Sequence, residues 1–272
     1  MITYAGWEVL DVRLEVLGFW GGYPGPGGAS AGYLLSGEEA GGGEILLDCG
    51  SGVLGRLLAS EGLDGLRRLK AVFLSHLHHD HAADLGVLSQ ALVVESYRGF
   101  TRAPLPVYAP EQALERARFY LAGDPWTELR PLRVGESVQE GAFRVEVAPA
   151  RHPVPALALR VESGGASLVY TGDTATSPEV EALAAGSDLL LAEATLRAGE
   201  DGSRAGHLTA EEAGKMARRA GVAALLITHL PPFGDLERLE REAREAFAGP
   251  TRRAREGLSL EVGSERGRDD GS

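Results

Sequence analysis

Cysteine is almost absent from the 272-residue chain, with Cys49 its single instance. One thiol can neither close an intramolecular disulfide nor build a cysteine-rich zinc ribbon. Long apolar runs are missing as well, and none nears the roughly 18 residues of a membrane span. Met1–Trp20 is interrupted by Glu8, Asp11, Arg13 and Glu15, so it lacks the apolar stretch of a signal peptide. Positive charge is in deficit: 27 Lys and Arg face 39 Asp and Glu, for a formal net charge of -12. That balance argues against a general nucleic-acid or anionic-membrane binder. The remaining composition, 44% hydrophobic and 24% charged, is that of an ordinary globular protein and excludes disorder or a fibrous repeat. A soluble, cytoplasmic protein with a substantial core is expected.

Short apolar stretches separated by glycine-rich turns predict strands at Val9–Leu17, Ala31–Ser36, Ile45–Asp48, Ala71–Leu74, Pro106–Ala109, Phe143–Ala148, Ala156–Glu162, Ser167–Thr171, Leu189–Ala192, Ala223–Thr228 and Leu258–Val262. Helical spacing covers Val53–Ser60, a segment from near His81 through Leu92, Glu111–Leu121 and Leu236–Phe247. Another helix starts at Thr209, with Glu212 three residues on in capping-box spacing. Ser163-Gly164-Gly165-Ala166 reads as a hairpin turn. The elements fall into two similar halves, which implies an α/β protein with two stacked sheets. No linker divides it, so one domain over residues 1–262 is expected, with a polar tail at 263–272. Gly21–Gly32, with six glycines and two prolines, reads as a flexible connection, or as a lip presenting Trp20 or Tyr23. The basic clusters Arg67, Arg68, Lys70 and Arg252, Arg253, Arg255 read as solvated surface.

Histidine carries the chemistry. Four of the seven fall within six residues, His76-Leu77-His78-His79-Asp80-His81, at the end of a buried strand. On extended backbone His76 and His78 point to the same side. Neutral imidazoles with a carboxylate suit Zn²⁺, Mn²⁺ or Fe²⁺. His152, His207 and His229 each stand where a strand ends or a helix is about to start.

With these residues in place, the chain resembles the metallo-β-lactamase-fold superfamily, and within it the ribonuclease Z-like phosphodiesterases. Leu46-Leu47-Asp48-Cys49-Gly50 is similar to the family's first motif, whose aspartate braces the metal loop. His76–His81 matches the second motif, His152 the third, Asp173 in Tyr170-Thr171-Gly172-Asp173-Thr174 the fourth, and His229 the last. The resemblance implies an αββα four-layer sandwich of two mixed sheets flanked by helices. It also implies two divalent metal ions, zinc first, with Mn²⁺ or Fe²⁺ accepted by the same ligands. His76, His78 and His152 would hold one ion, Asp80, His81 and His229 the other, with Asp173 bridging. Glu193-Ala194-Thr195 and Gly206-His207-Leu208-Thr209 resemble segments in which a carboxylate orients a histidine that is not a ligand and faces substrate. Catalytic roles are therefore expected for Asp80, His207 and Glu193, and a structural one without a metal bond for His79.

The implied reaction is attack by a hydroxide that the two ions share, its pKa lowered to about 7. Aspartate at position 173 sets the chain apart from the β-lactamases, which use cysteine among the second-metal ligands; Cys49 is left as a small buried residue. Enzymes that process tRNA 3′ ends carry a long tRNA-gripping arm between the third and fourth motifs. Only twenty residues separate His152 from Asp173 here, and they read as one hairpin. A small phosphodiester, such as a cyclic nucleotide or short oligonucleotide, is the expected substrate, with no large nucleic acid and no membrane partner. The alternatives are a tRNA 3′-processing endoribonuclease, a glyoxalase II-like thioester or lactone hydrolase, and a metal-binding protein without turnover. The resemblance leaves a homodimer open.

Overall fold

A computed structural model describes residues 12–37, 43–121 and 125–263. The start of the strand expected from Val9 and the tail beyond Gly263 lie outside the described residues, as do Glu8 and Asp11. Val12–Gly18 (β1), Gly32–Gly37 (β2), Gly43–Leu47 (β3), Leu69–Phe73 (β4), Leu105–Pro110 (β5) and Thr127–Leu132 (β6) lie side by side in chain order, and the last strand, Ser259–Val262, returns to the free edge of β1. The second sheet runs Ser137–Glu140 (β7), Phe143–Pro149 (β8), Leu157–Ser163 (β9), Ala166–Tyr170 (β10), Leu189–Glu193 (β11), Ala224–Thr228 (β12) and Thr251–Arg253 (β13), again in chain order. Each sheet is mixed: β1–β3 and β7–β10 pair antiparallel, whereas β3–β6 and β10–β13 pair parallel.

The period of two along the strands builds the layers. Tyr33, Leu35, Ile45, Leu47 and Phe73 face the second sheet and share one buried cluster with Phe143, Val145, Leu159, Leu168 and Tyr170. Their neighbours Leu34, Leu46 and Val72 point the other way, onto Val53 and Leu57 of helix Val53–Arg68 (α1) and onto Leu85, Leu88 and Leu92, which lie on a later helix. Each such side chain taken from water stabilises the fold by about 1.5–3 kcal/mol. Strands buried on both faces need near-continuous apolar runs, as β4 and β11 have.

The histidine segment breaks the helix expected from His81 through Leu92. It forms one turn, His79–Ala82 (α2), and then Leu85–Tyr97 (α3). Asp84 stands at the break, its N–H donating to Cys49 O (3.0 Å) and its carboxylate accepting Leu54 N–H of α1 (3.0 Å). Leu114–Leu121 (α4) follows a single 3-10 turn. Pro178–Ala184 (α5), Ala210–Ala220 (α6) and Leu236–Phe247 (α7) complete the helices, and α6 carries the expected capping box of Thr209 and Glu212. At Gly164-Gly165 both residues have positive φ, 59° and 91°, as a tight two-residue hairpin requires.

Four elements exceed the sequence reading, and α1 runs past Ser60 to Arg68 through a kink at Gly62. β6 and β7 are partly exposed and charged, so they show no clean alternation. Helix α5 is two turns long and rests on its Ser177 cap and Pro178. β13 contains Arg252 and Arg253, read as surface but paired to β12 as an edge strand, where charge discourages further pairing. Arg68 is likewise no free surface cation, since it bridges Glu44 (3.0 Å) and Glu61 (2.5 Å).

Helices α6 and α7 cross at Gly214, where a Cβ would stand 2.4 Å from Ala243 O and 2.8 Å from Ala246 Cβ. Gly214→Ala should therefore cost about 1–3 kcal/mol and lower Tm by about 2–4 °C per kcal/mol in calorimetry. Gly55→Ala on α1, with open space around it, should instead stabilise by about 0.4–1 kcal/mol.

Candidate metal centre

Strand ends of both sheets converge on one spot. β3 delivers Asp48, β4 leads into Ser75-His76, β10 leads into Asp173, β11 ends in Glu193, and His229 follows β12. Asp48 and His229 adopt left-handed backbone, φ 58° and 51°, which bends the chain sharply where each strand stops. Strain of this kind is held by the surrounding packing.

Two groups of ligand atoms form. His76, His78, His152 and Asp173 make the first; Asp80, His81, Asp173 and His229 make the second. In the first, His78 Nδ1 lies 3.0 Å from His76 Nε2 and 3.1 Å from His152 Nε2. In the second, His229 Nε2 is 3.1 Å from Asp80 Oδ2, and both His229 Nε2 and His81 Nε2 are 3.3 Å from Asp173 Oδ1. Asp173 Oδ2 turns to the first group, 3.6 Å from His76 Nε2. One carboxylate thus presents an oxygen to each.

The other imidazole nitrogens are held by hydrogen bonds that fix tautomers. His81 Nδ1 donates to Asp48 Oδ2 (2.7 Å). Ser75 Oγ donates to Asp48 Oδ2 (2.7 Å) and accepts from His76 Nδ1 (3.1 Å). Asp48 also accepts Ser75 N–H and, across the sandwich, Tyr170 O–H, each at 2.7 Å. His152 Nδ1 donates to Gly206 O (3.0 Å). On the second sheet Glu193, fully buried, accepts Thr174 N–H (2.9 Å) and His207 Nδ1–H (3.0 Å) at Oε1, and Thr195 O–H (2.7 Å) at Oε2. Thr195 Oγ1 in turn accepts from His229 Nδ1 (2.8 Å). In the neutral rings the inward nitrogen then carries a lone pair, the form a metal binds.

The donor set suits divalent metal. Lone pairs about 3 Å apart repel unless an electrophile lies among them, and edges of about 3.3 Å are what tetrahedral nitrogen coordination produces. His81 Nε2 and Asp173 Oδ1 are buried without a hydrogen-bond partner, both aimed into the second group. Burial lowers the imidazole pKa values of His76, His78 and His152, which keeps them neutral. Burial opposes charge on His81 too, but Asp173 and Asp48 outweigh it and raise its pKa well above the ordinary value. Glu193, His207 and His229 also lie close enough to count as a third group, yet the Glu193 oxygens and His207 Nδ1 already serve one another and their neighbours.

Every residue expected at the site is brought there, and His79, expected to make no metal bond, turns outward and accepts from Tyr120 O–H at Nδ1 (2.7 Å). Cys49 is buried, as expected. The Gly21–Gly32 segment is not a slack connection. Gly22 N–H donates to Asp80 Oδ2 (2.7 Å), and Gly21 passes so close to the His229 ring that a Cβ would sit 2.6 Å from Nδ1. The roles of Tyr170 and Thr195 were not read from the sequence, although both stand inside recognised motifs. The Gly22 amide leaves no side-chain signature that could have shown it. Among the described residues no helix is long and apolar enough to cross a membrane.

The beta-lactamase superfamily domain matches residues 44–230. The probable metallo-hydrolase YhfI of Bacillus subtilis (strain 168) is 35% identical over 250 residues, covering 92% of this chain and 100% of YhfI. Its crystal structure matches with a TM-score of 0.84 at 34% identity, over 92% of this chain and 99% of that one. Ribonuclease Z of Mycobacterium sp. (strain KMS) is 34% identical over 241 residues, 78% of this chain and 83% of the relative. The short form of human tRNase Z, at 20% identity and TM-score 0.71, covers 92% of this chain and 99% of its own and shares the fold.

Asp173 and Asp48 favour a proton on His81, and a cation in the second group would compete with it. Zinc titrated into metal-free protein at pH 7 should fill two sites per chain, the second releasing about one proton. Calorimetry in buffers of different ionisation enthalpy checks this; a heat independent of buffer would mean that His81 starts neutral.

Proposed function

The chain belongs to the beta-lactamase superfamily, and we propose that it is a dinuclear metal-dependent phosphodiesterase acting on a small phosphodiester, a cyclic nucleotide or short oligonucleotide. The relatives named metallo-hydrolase and ribonuclease Z support the hydrolase part. His76, His78, His152 and Asp173 would hold one cation, and Asp80, His81, His229 and Asp173 the other. When bound, such cations supply Lewis acidity toward a phosphoryl oxygen and a nucleophilic form of water at neutral pH.

The His207–Glu193 pair carries the choice of substrate. His207 stands between the two groups, its ring centroid 5.4 Å from His152 and 5.5 Å from His229. Burial disfavours its charged form, but the hydrogen bond and charge of Glu193 prevail, and its pKa is pushed up to about 9. A protonated imidazole beside the reacting atoms is a general acid. A phosphodiester needs one, because an alkoxide leaves poorly unless protonated. A thioester does not, since a thiol with pKa near 8.5 leaves readily as its anion. Asp80 stays ionised despite burial, because the His229 and His81 rings beside it hold its carboxyl well below the usual range. It is therefore a steady acceptor for a water proton and a weak base.

The β9–β10 hairpin turns in two residues, so no arm protrudes between His152 and Asp173. With the net charge of -12, this favours small substrates over tRNA.

Metal-loaded protein should hydrolyse bis(p-nitrophenyl) phosphate and leave S-lactoylglutathione intact; the reverse preference would assign a thioesterase. In a panel of pre-tRNA, cyclic nucleotides and short oligonucleotides, cleavage confined to pre-tRNA would assign the tRNA-processing activity instead. His207→Ala should cut turnover of a cyclic nucleotide by about 10²–10⁴ with metal content unchanged by elemental analysis. The loss should be smaller with p-nitrophenolate, a stable leaving anion.

Glu193 favours the protonated form of His207, so turnover of the cyclic nucleotide should fall on the alkaline side, as pH rises past the His207 pKa. Glu193→Gln removes the charge that supports the proton, and the fall should move toward neutral pH. An unmoved alkaline limb would remove His207 as the acid.

A further inference from the structure

Trp20 and Leu230 form a parallel bridge: Leu230 N–H donates to Phe19 O and Gly21 N–H to Leu230 O, each at 3.0 Å. Two segments leave that bridge beside the metal ligands. One carries Gly22, whose N–H holds Asp80 Oδ2 at 2.7 Å; the other begins immediately after His229. Three residues past the bridge on each segment stands an exposed aromatic. These are Tyr23, 55% exposed, and Phe233, 69% exposed. Three residues of chain reach at most about 10 Å, so the Cα atoms of Tyr23 and Phe233 lie within about that distance of the bridge.

The backbone around both rings is stiff. Pro24 follows Tyr23, and Pro231-Pro232 precede Phe233, each fixing φ. Behind Tyr23 the loop is packed on the Trp20 indole, which Cβ atoms at Gly25 and Gly28 would meet at 2.8 and 2.4 Å. Glu256 accepts Ala29 N–H (2.7 Å) and pairs with Arg56 (2.8 Å), whose guanidinium also bonds Gly27 O. Two large apolar faces thus stand in water on segments that leave the ligand groups, on supports that need little ordering when a ligand arrives.

We propose that Tyr23 and Phe233 form a base-stacking subsite that receives the nucleobase of the phosphodiester substrate while its phosphate lies at the two ligand groups. The inference rests on the phosphodiesterase reading and narrows it to nucleotides. Every nucleobase has a π-face, so the pair selects for a base without demanding a particular one. No base-edge hydrogen-bonding is needed. A glutathione thioester, with no planar ring, would gain nothing from it.

The test compares calorimetric affinities of zinc-loaded protein for adenosine 5′-monophosphate and ribose 5-phosphate, which differ by the base alone. The nucleotide should bind about five- to a hundredfold tighter, the range that one stacked base contributes. Tyr23→Ala and Phe233→Ala should each shrink that ratio, and the double variant should bring it near one. Tyr23→Phe should retain it, as should Tyr97→Ala, a control ring 86% exposed on α3. Equal affinities in the wild type, no binding of either ligand, or a ratio that survives the double variant would overturn the proposal. Turnover of bis(p-nitrophenyl) phosphate, followed alongside, bears on the phosphodiesterase reading alone. A preserved base preference without turnover would remove that reading and keep the subsite.

Discussion

An imidazole binds a cation well only when its second nitrogen is occupied, and the whole site is arranged around that requirement. Two buried carboxylates meet it, one from each sheet. Asp48 takes His81 directly and His76 through Ser75, while Glu193 takes His207 directly and His229 through Thr195. Both carboxylates are fully buried, so their hydrogen bonds act in a low dielectric with no water competing. Tyr170 reaches from the second sheet to Asp48 on the first, and Tyr33 reaches the other way to Thr228 (2.6 Å). The sheets are thereby held in register by the same contacts that aim the ligands.

Topology explains why these residues can meet. In both halves the parallel strands stop at the same edge of the sandwich, and the loops leaving that edge carry the ligands, as open α/β sheets generally place their sites. Apolar strand bodies supply the stability, and the polar residues at their ends are free to be chosen for chemistry. The left-handed turns at Asp48 and His229 and the close approach of Gly21 to the His229 ring are the local cost of crowding.

Much of this was legible in the sequence because its signals are local. His76–His81 at the end of an apolar strand, Asp173 after β10, the capping box at Thr209 and the two-glycine hairpin each announce themselves within a few residues. The fold class followed from the motifs and their order. What escaped depends on distant partners or on the backbone. Asp84 splits a continuous helical pattern because Cys49 and Leu54 engage it from other elements. β13 carries Arg252 and Arg253 and becomes a strand only because β12 offers an edge. The Gly22 amide and the matched positions of Tyr23 and Phe233 are consequences of a single bridge between residues 210 apart.

The hairpin between β9 and β10 also defines how such a scaffold can diversify. Its tip, Gly164-Gly165, is exposed, and the register on either side is set by strand pairing that the turn merely closes. A segment grafted there would extend into solvent from a fixed stem, and each doubling of its length would cost only about 0.6 kcal/mol of closure entropy. His152 precedes this stem and Asp173 follows it, so the graft would change what the protein can grip while the ligand geometry stayed anchored from both sides. Substrate reach and reaction chemistry are, in this architecture, separable inheritances.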